Sequence, residues 1–199
     1  MSALRKTEPR YTYTEYAQFD FGDEKWELID GEVYAMASPV RTHQKISHKI
    51  TRRIEDYLDE KKKRCEVVQD FDTRLNYAKG DDIVFRPDVV VVCGSSRIDE
   101  NSVKGAPDMV VEILSPSTAK TDLNIKFAKY KEVGVKEIWH IHPETKLVQV
   151  TTLQENGTYE TEYYGDDDNV PVSIFPEFFI NCEDIFPLPI EEDNTNEDS

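Results

Sequence analysis

Two carboxylates stand in stretches of chain that are otherwise apolar. Asp88 opens the run Asp-Val-Val-Val-Val-Cys at 88–93, and Glu112 lies between Val111 and Ile113-Leu114. An ionised group among aliphatic side chains is costly unless a cation, a partner or water at a strand end offsets the cost. A divalent cation shared by the two would do so, because hard cations take carboxylate oxygens. Two separately solvated strand ends would do so as well. Pro107-Asp108 with Glu112 forms a rival pair, and geometry excludes it. Residues four apart on one extended strand lie about 13 Å from each other, whereas neighbouring strands run about 4.8 Å apart. Asp88 and Glu112 can therefore meet at one ion, while Asp108 reads as a residue that opens a strand.

Other chemistry-bearing residues are scattered. Asp122, Lys126 and Tyr130 follow one another at i, i+4 and i+8, a spacing for one helix face. Asp followed by Lys at i+4 is equally a favoured surface ion pair, contributing a few tenths of a kcal/mol. His43 and His48 are five apart with no HExxH around them, which suits phosphate contacts or plain surface better than zinc. His140 and His142 share a strand face without a nearby Cys or acid partner. Ser115 to Thr118 contains no nucleophile elbow and reads as a strand exit followed by a helix cap. No Gly-rich phosphate loop is present.

The elements that must position these residues can be read from periodicity. Tyr11 to Met36 predicts a helical turn and then a hairpin around Asp30-Gly31. Ile46, Ile50, Ile54 and Tyr57/Leu58 recur every three or four residues, predicting an amphipathic helix over Arg41 to Lys63. Strands follow at Cys65 to Leu75, Ile83 to Cys93 and Asp108 to Leu114. Val89 to Cys93 is apolar without alternation, as in a strand buried on both faces. A second helix is expected from Ser117 or Thr118 to Val133, closed by Gly134. Glu137 to His142 is the next strand, and Lys146 to Leu153 pairs with Thr158 to Tyr163 around Asn156-Gly157. A short apolar element, Phe175 to Phe186, is expected to dock on the body.

At 199 residues the chain suits one domain over 1–189, with its core over 11–165 and an acidic tail at 190–199 too polar to pack. The formal net charge of -16 opposes nucleic acid at first sight. The average conceals a division: Leu147 to Ser199 carries 14 acids and no Lys or Arg. Arg41 to Arg64 holds nine Lys/Arg against four Asp/Glu, a candidate DNA-facing surface or a solvated helix face. Three cysteines without close spacing suggest neither a disulfide framework nor a zinc knuckle, so reduced, buried thiols are expected. No apolar run reaches the roughly 18 residues of a membrane span, and a polar N-terminus lacks a signal peptide's core. A cytoplasmic location without membrane contact is the expectation.

Five passages carry a resemblance: WELIDGEVYAM at 26–36, RPDVVVVC at 86–93, GAPDMVVEILSPST at 105–118, then Asp122, Lys126 and Tyr130, and GVKEIWHIHP at 134–143. Together the chain over roughly 11–165 resembles the bacterial Uma2 family of restriction-endonuclease-like proteins, within the PD-(D/E)XK superfamily. The resemblance implies an α/β (α+β) fold: an αβββαβ core with a mixed central sheet flanked by helices, an N-terminal hairpin and a C-terminal hairpin. It implies a Mg²⁺- or Mn²⁺-dependent endonuclease acting on DNA, with Asp88 and Glu112 as the motif's carboxylates. The motif's Lys, expected two residues after the Glu, is replaced by Leu114, and Lys126 on the following helix is the matching position. Glu27 matches an acidic family position and would be a third carboxylate. A nuclease-like fold that only binds nucleic acid or protein is the competing expectation, and a homodimer is left open.

Overall fold

Asp30 and Gly31 take left-handed backbone angles (φ 51° and 81°), the geometry a two-residue hairpin turn requires. A Cβ on Gly31 would sit 2.9 Å from Arg10 Cβ, so glycine is needed here for space as well as for conformation. The turn joins β1 (Trp26–Ile29) to β2 (Glu32–Ala35), after a single helical turn, α1 (Tyr13–Tyr16). The computed structural model describes residues 10–186 apart from 39, 117 and 166. The expected acidic tail lies outside the described residues.

The amphipathic helix forms as its periodicity predicts. It is α2 (Arg41–Lys61), with Ile46, Ile50, Ile54, Tyr57 and Leu58 on its buried face. The three expected strands are five shorter ones: β3 (Cys65–Val68), β4 (Thr73–Arg74), β5 (Val84–Phe85), β6 (Val89–Cys93) and β8 (Met109–Ile113), with β7 (Val103–Lys104) between the last two. Arg86-Pro87-Asp88 breaks the expected strand 83–93 into two. Proline has no N–H for a ladder, and the chain passes from one sheet to the other at this point.

The expected second helix is interrupted as well. It comprises α3 (Ala119–Thr121), a π-helical segment at Asp122–Lys126, and α4 (Phe127–Val133), ended by Gly134 at φ 82°. The expected cap is not made: Thr118 bonds no helix N–H, and its Oγ1 instead accepts from Ser115 N at 3.3 Å. Then come β9 (Glu137–His142), the hairpin β10 (Leu147–Leu153) and β11 (Tyr159–Tyr164), the ribbon β12 (Asn169–Pro171) with β13 (Phe179–Asn181), and α5 (Cys182–Ile185).

The central sheet has the order β11-β10-β9-β8-β6-β3, antiparallel except for β8–β9. A second mixed sheet runs β2-β1-β5-β4-β7. Val89 and Val91 pack with α2 and the docked C-terminal residues Ile180, Ile185 and Phe186, while Val90 and Val92 join Val103 and Phe71 on the other side. This is the two-sided burial expected of an unalternating strand. On that second face Val110 and Ile138 meet Phe85, Leu75 and Tyr130, so the second sheet and α4 cover it together. Among the described residues no helix is long and apolar enough to cross a membrane.

Two cysteines correct the expectation of reduced thiols. Cys65 and Cys93 are cross-strand partners on β3 and β6 and form a disulfide, while Cys182 is buried in the core. The bridge closes a 28-residue separation. Its reduction is expected to lower the unfolding free energy by about 3.6 kcal/mol on the chain-entropy model. Urea titrations with and without reductant measure this, and coincident curves would contradict it.

Asp108 opens β8 as expected, but it is buried and does more. It accepts from Lys136 Nζ (2.7 Å) and Cys93 N (2.7 Å) and pairs with Arg97, so it ties the β6 exit to the β9 entry. Burial raises its pKa, but the donors from Lys136, Cys93 and Arg97 together outweigh that and hold it below the ordinary value. A depressed carboxylate stabilises the fold above its unfolded pKa, and the contribution is lost as pH falls through the folded one. Asp108→Asn should therefore flatten the loss of stability below about pH 4. Parallel acid-unfolding curves for wild type and variant would contradict this.

Candidate functional site

β6 and β8 are paired with Val89 opposite Val111 and Val90 opposite Val110. Asp88 is the residue just before β6, and its Oδ2 accepts from the N–H of Ile113, the neighbour of Glu112 on β8. The two carboxylates that sequence singled out are thus brought together where β6 begins beside the end of β8. Both line a cleft of about 970 Å³ between the two sheets and the helical segment after β8.

Glu27 enters this cleft from β1, on the second sheet. Its Oε1 accepts from Arg86 N at 2.9 Å and lies 2.8 Å from Lys126 Nζ. Lys126 is buried to 4% exposure and stands 3.4 Å from Glu112 Oε1 and 3.3 Å from Asp122 Oδ1. Tyr130 OH donates to Glu112 Oε1 at 2.5 Å. The Asp122–Lys126 pair is thus no surface ion pair, and its cation is shared among three carboxylates.

The π-segment tightens this convergence. In an unbroken α-helix, at about 100° per residue, Tyr130 would lie roughly 80° around the axis from Asp122. A turn closed i→i+5 holds one residue more, which takes back about that angle. Asp122, Lys126 and Tyr130 then all face Glu112. The spacing already places them within one face of an ordinary helix, and the irregularity narrows their spread.

Asp88 is held separately. Its Oδ2 accepts from Ile113 N at 2.7 Å and lies 3.2 Å from His43 Nε2. His43, expected as phosphate contact or surface, is mostly buried against Asp88, whereas His48 is exposed. The signal was present in the sequence, since His43 precedes Ile46 and Ile50 by three and seven residues and so shares their face. Burial draws the His43 pKa down, but the hydrogen bond and charge of Asp88 outweigh it and raise it.

Electrostatics show what the cluster lacks. Burial raises the Glu112 pKa well above its ordinary value; Lys126 opposes the shift, and the charges of Asp122, Asp88 and Glu27 reinforce it. Burial lowers that of Lys126, but Glu112, Glu27 and Asp122 overcome it and push it well up, which fixes the ammonium as charged. Three acids share one buried lysine, which leaves an excess of negative charge around it.

That donor set fits a hard divalent cation: its ligands are carboxylate oxygens, and the cleft has room. Among the described residues no three His, Cys, Asp or Glu side chains are already gathered as a coordination shell. Mg²⁺ commonly takes one or two carboxylates and fills its remaining positions with water and substrate phosphate, so Asp88 and Glu112 are the two residues that could hold one.

The basic stretch of α2 does not line this cleft. Lys49 donates to Phe186 O at 3.0 Å, Arg53 pairs with Asp184, and Arg52 sits 3.9 Å from Asp56. From α2 the cleft receives His43, Gln44 and Ser47, while its cations are Lys25, Arg86 and Lys126. Lys25 and Arg86 carried no separate signal in the sequence. His140, the register partner of Glu112 on β9, is buried behind Phe127; burial lowers its pKa to about 4, and neither ring nitrogen makes a hydrogen bond of normal geometry among the described residues.

Comparison with known proteins follows this geometry. The family model described as "Uma2: Putative restriction endonuclease" matches residues 12–183. The chain belongs to the Uma2 family. Relatives of this Uma2 chain include two proteins of Synechocystis sp., named "Uncharacterized protein slr1290" and "Uncharacterized protein sll1609". They are 31% identical over 123 residues and 29% identical over 125. Each match covers 61% of the chain, and it spans 63% of the first relative's length and 68% of the second's. A crystal structure from Anabaena variabilis, described as a putative nuclease belonging to DUF820, shares the fold with a TM-score of 0.72 at 24% identity. It covers 88% of this chain and 97% of that one.

Proposed function

We propose that this Uma2 chain is a metal-dependent endonuclease that hydrolyses phosphodiester bonds in DNA, built on the αβββαβ core of α2, β3, β6, β8, the α3–α4 helix and β9. One observation carries the reading: Asp88, at the entry of β6 and bonded to Ile113 N, and Glu112, on β8, line one cleft, with Lys126 against Glu112. Asp88 and Glu112 would hold Mg²⁺ or Mn²⁺, which when bound lowers the pKa of water and polarises a phosphoryl oxygen.

The chain's own residues do the rest. The Ile113 N–H and His43 fix Asp88. Tyr130 fixes Glu112, and Glu27 with Asp122 holds the Lys126 ammonium beside it. Lys126 supplies positive charge where the phosphate gains negative charge in the transition state, which is the role left open by Leu114. DNA as the partner is part of the same proposal.

A second reading has an observation of its own. Lys126 itself neutralises part of the carboxylate cluster, as a nuclease-like fold retained only for binding would also require. Purified protein and Asp88→Ala, incubated with plasmid and with single-stranded DNA in Mg²⁺, Mn²⁺ or EDTA, separate the two. Cleavage that needs the metal and vanishes in the variant supports the enzyme. No cleavage of any substrate by wild type supports the binding module.

A further inference from the structure

On the far face of the second sheet lies a second cavity, of about 530 Å³, that the proposed chemistry does not use. Tyr13, Tyr16, Phe19 and Phe21 form its aromatic wall, and Asp72, Arg74 and Arg86 bring charge to it. Phe21 stacks on Trp26 (5.0 Å, 22° between planes), and Phe19 meets Phe21 at 5.6 Å and Tyr11 at 4.8 Å, both edge-on. The wall is therefore supported from behind. Phe19, which lines the cavity, is 38% exposed.

The polar groups of the pocket are incompletely engaged. Asp72 Oδ1 takes Arg86 Nη1 at 2.9 Å, while Oδ2 receives no hydrogen bond among the described residues. Ser102 is buried to 1% and close enough to influence the Tyr13 hydroxyl, yet its Oγ makes no hydrogen bond of normal geometry among the described residues. Arg74 lies over the Tyr13 ring at 4.0 Å, so the Phe19 ring, with the open carboxylate oxygen and the buried hydroxyl, suits a planar ring with polar edges. A cationic guest would be repelled by Arg74 and Arg86 in the same wall, whereas a neutral ring would not.

Arg86 connects the pocket to the carboxylate cleft. Its backbone N–H donates to Glu27, its guanidinium reaches Asp72, and it lines both cavities. We propose that the aromatic pocket binds one unstacked nucleobase of a strand whose phosphate lies in the carboxylate cleft, so that the preferred substrate is single-stranded or locally opened DNA. This rests on the nuclease reading. Its physical basis is stacking on Phe19, which tolerates any base because every base presents a π-face.

Fluorescence anisotropy tests it with a labelled single-stranded oligodeoxynucleotide and the same strand carrying abasic sites, with Ca²⁺ replacing Mg²⁺ to prevent turnover. Wild type should bind the intact strand roughly fivefold or more tightly than the abasic one, the lower end of what one stacked base contributes. Phe19→Ala should lose that preference, and Phe19→Trp should restore it. Equal affinity of wild type for the two strands, or a preference that survives in Phe19→Ala, overturns the proposal. Plasmid cleavage by the same preparations keeps the two readings apart. Cleavage without base preference removes the pocket alone. Base preference without any cleavage removes the nuclease and leaves a single-strand binding site.

Discussion

Glu112→Gln is expected to abolish metal-dependent DNA cleavage, by about 10³-fold or more, while leaving the protein at least as stable as wild type. The two halves of that result have different causes. Replacing one of two protein ligands removes several kcal/mol of charge stabilisation at the phosphate, and each 1.36 kcal/mol is a factor of ten in rate. Stability moves the other way because the wild-type carboxyl is buried among like charges that raise its pKa. A neutral amide of the same shape avoids that burial cost and keeps an oxygen for the Tyr130 hydroxyl. Wild type should gain thermal stability with Mg²⁺ or Mn²⁺, since a ligand that binds only the native state raises apparent stability, and the variant should gain none. Residual cleavage near the wild-type rate, or an unchanged metal response, would remove Glu112 from the centre.

Lys126→Met should have the largest effect on stability, about 3–5 kcal/mol, the range for removing one partner from a buried ionic group. The ammonium touches Glu27, Glu112 and Asp122, and the structure offers those oxygens no other buried cation among the described residues. Without it the carboxylates repel one another in a poorly solvated site. Mg²⁺ should therefore restore more stability to the variant than it adds to wild type, measured as paired urea midpoints with and without the ion. Lys126→Gln keeps a hydrogen-bond donor on a side chain one bond shorter and should follow the same pattern with a smaller loss. Equal stability of wild type and both variants would show that Lys126 is an ordinary surface partner of Asp122, as its i, i+4 spacing alone allows.

Much of the site could be read in advance because it rests on strand pairing. Asp88 and Glu112 interrupt apolar runs, and consecutive antiparallel strands with matching lengths bring such residues opposite each other. Helix α2, the Asp30-Gly31 turn and the hairpin around Asn156-Gly157 follow the same logic, since each depends on residues close in sequence. His43 was legible too, through its phase with Ile46 and Ile50. The π-segment was not, because adding one residue to a turn is favoured only when the neighbouring sheet offers Glu112 as a partner for Lys126 and Tyr130.

The disulfide shows the same limit. Cys65 and Cys93 are 28 residues apart, and their pairing follows from the register of β3 on β6, which spacing does not encode. The basic stretch was visible as composition, but its direction depends on Asp184 and Phe186 docking beside α2.

Sequence alone determined helix α2, the two hairpin turns, the two carboxylates set in apolar runs and the family, because local periodicity and residue type carry that information. Tertiary structure decided which charges meet. Lys126 becomes the shared cation of three acids, and Arg86 the link between two cavities, only when two sheets and a helix from distant parts of the chain close around one cleft. Electrostatic energy depends on separation in space and on exclusion of water, and neither quantity exists until the chain has folded.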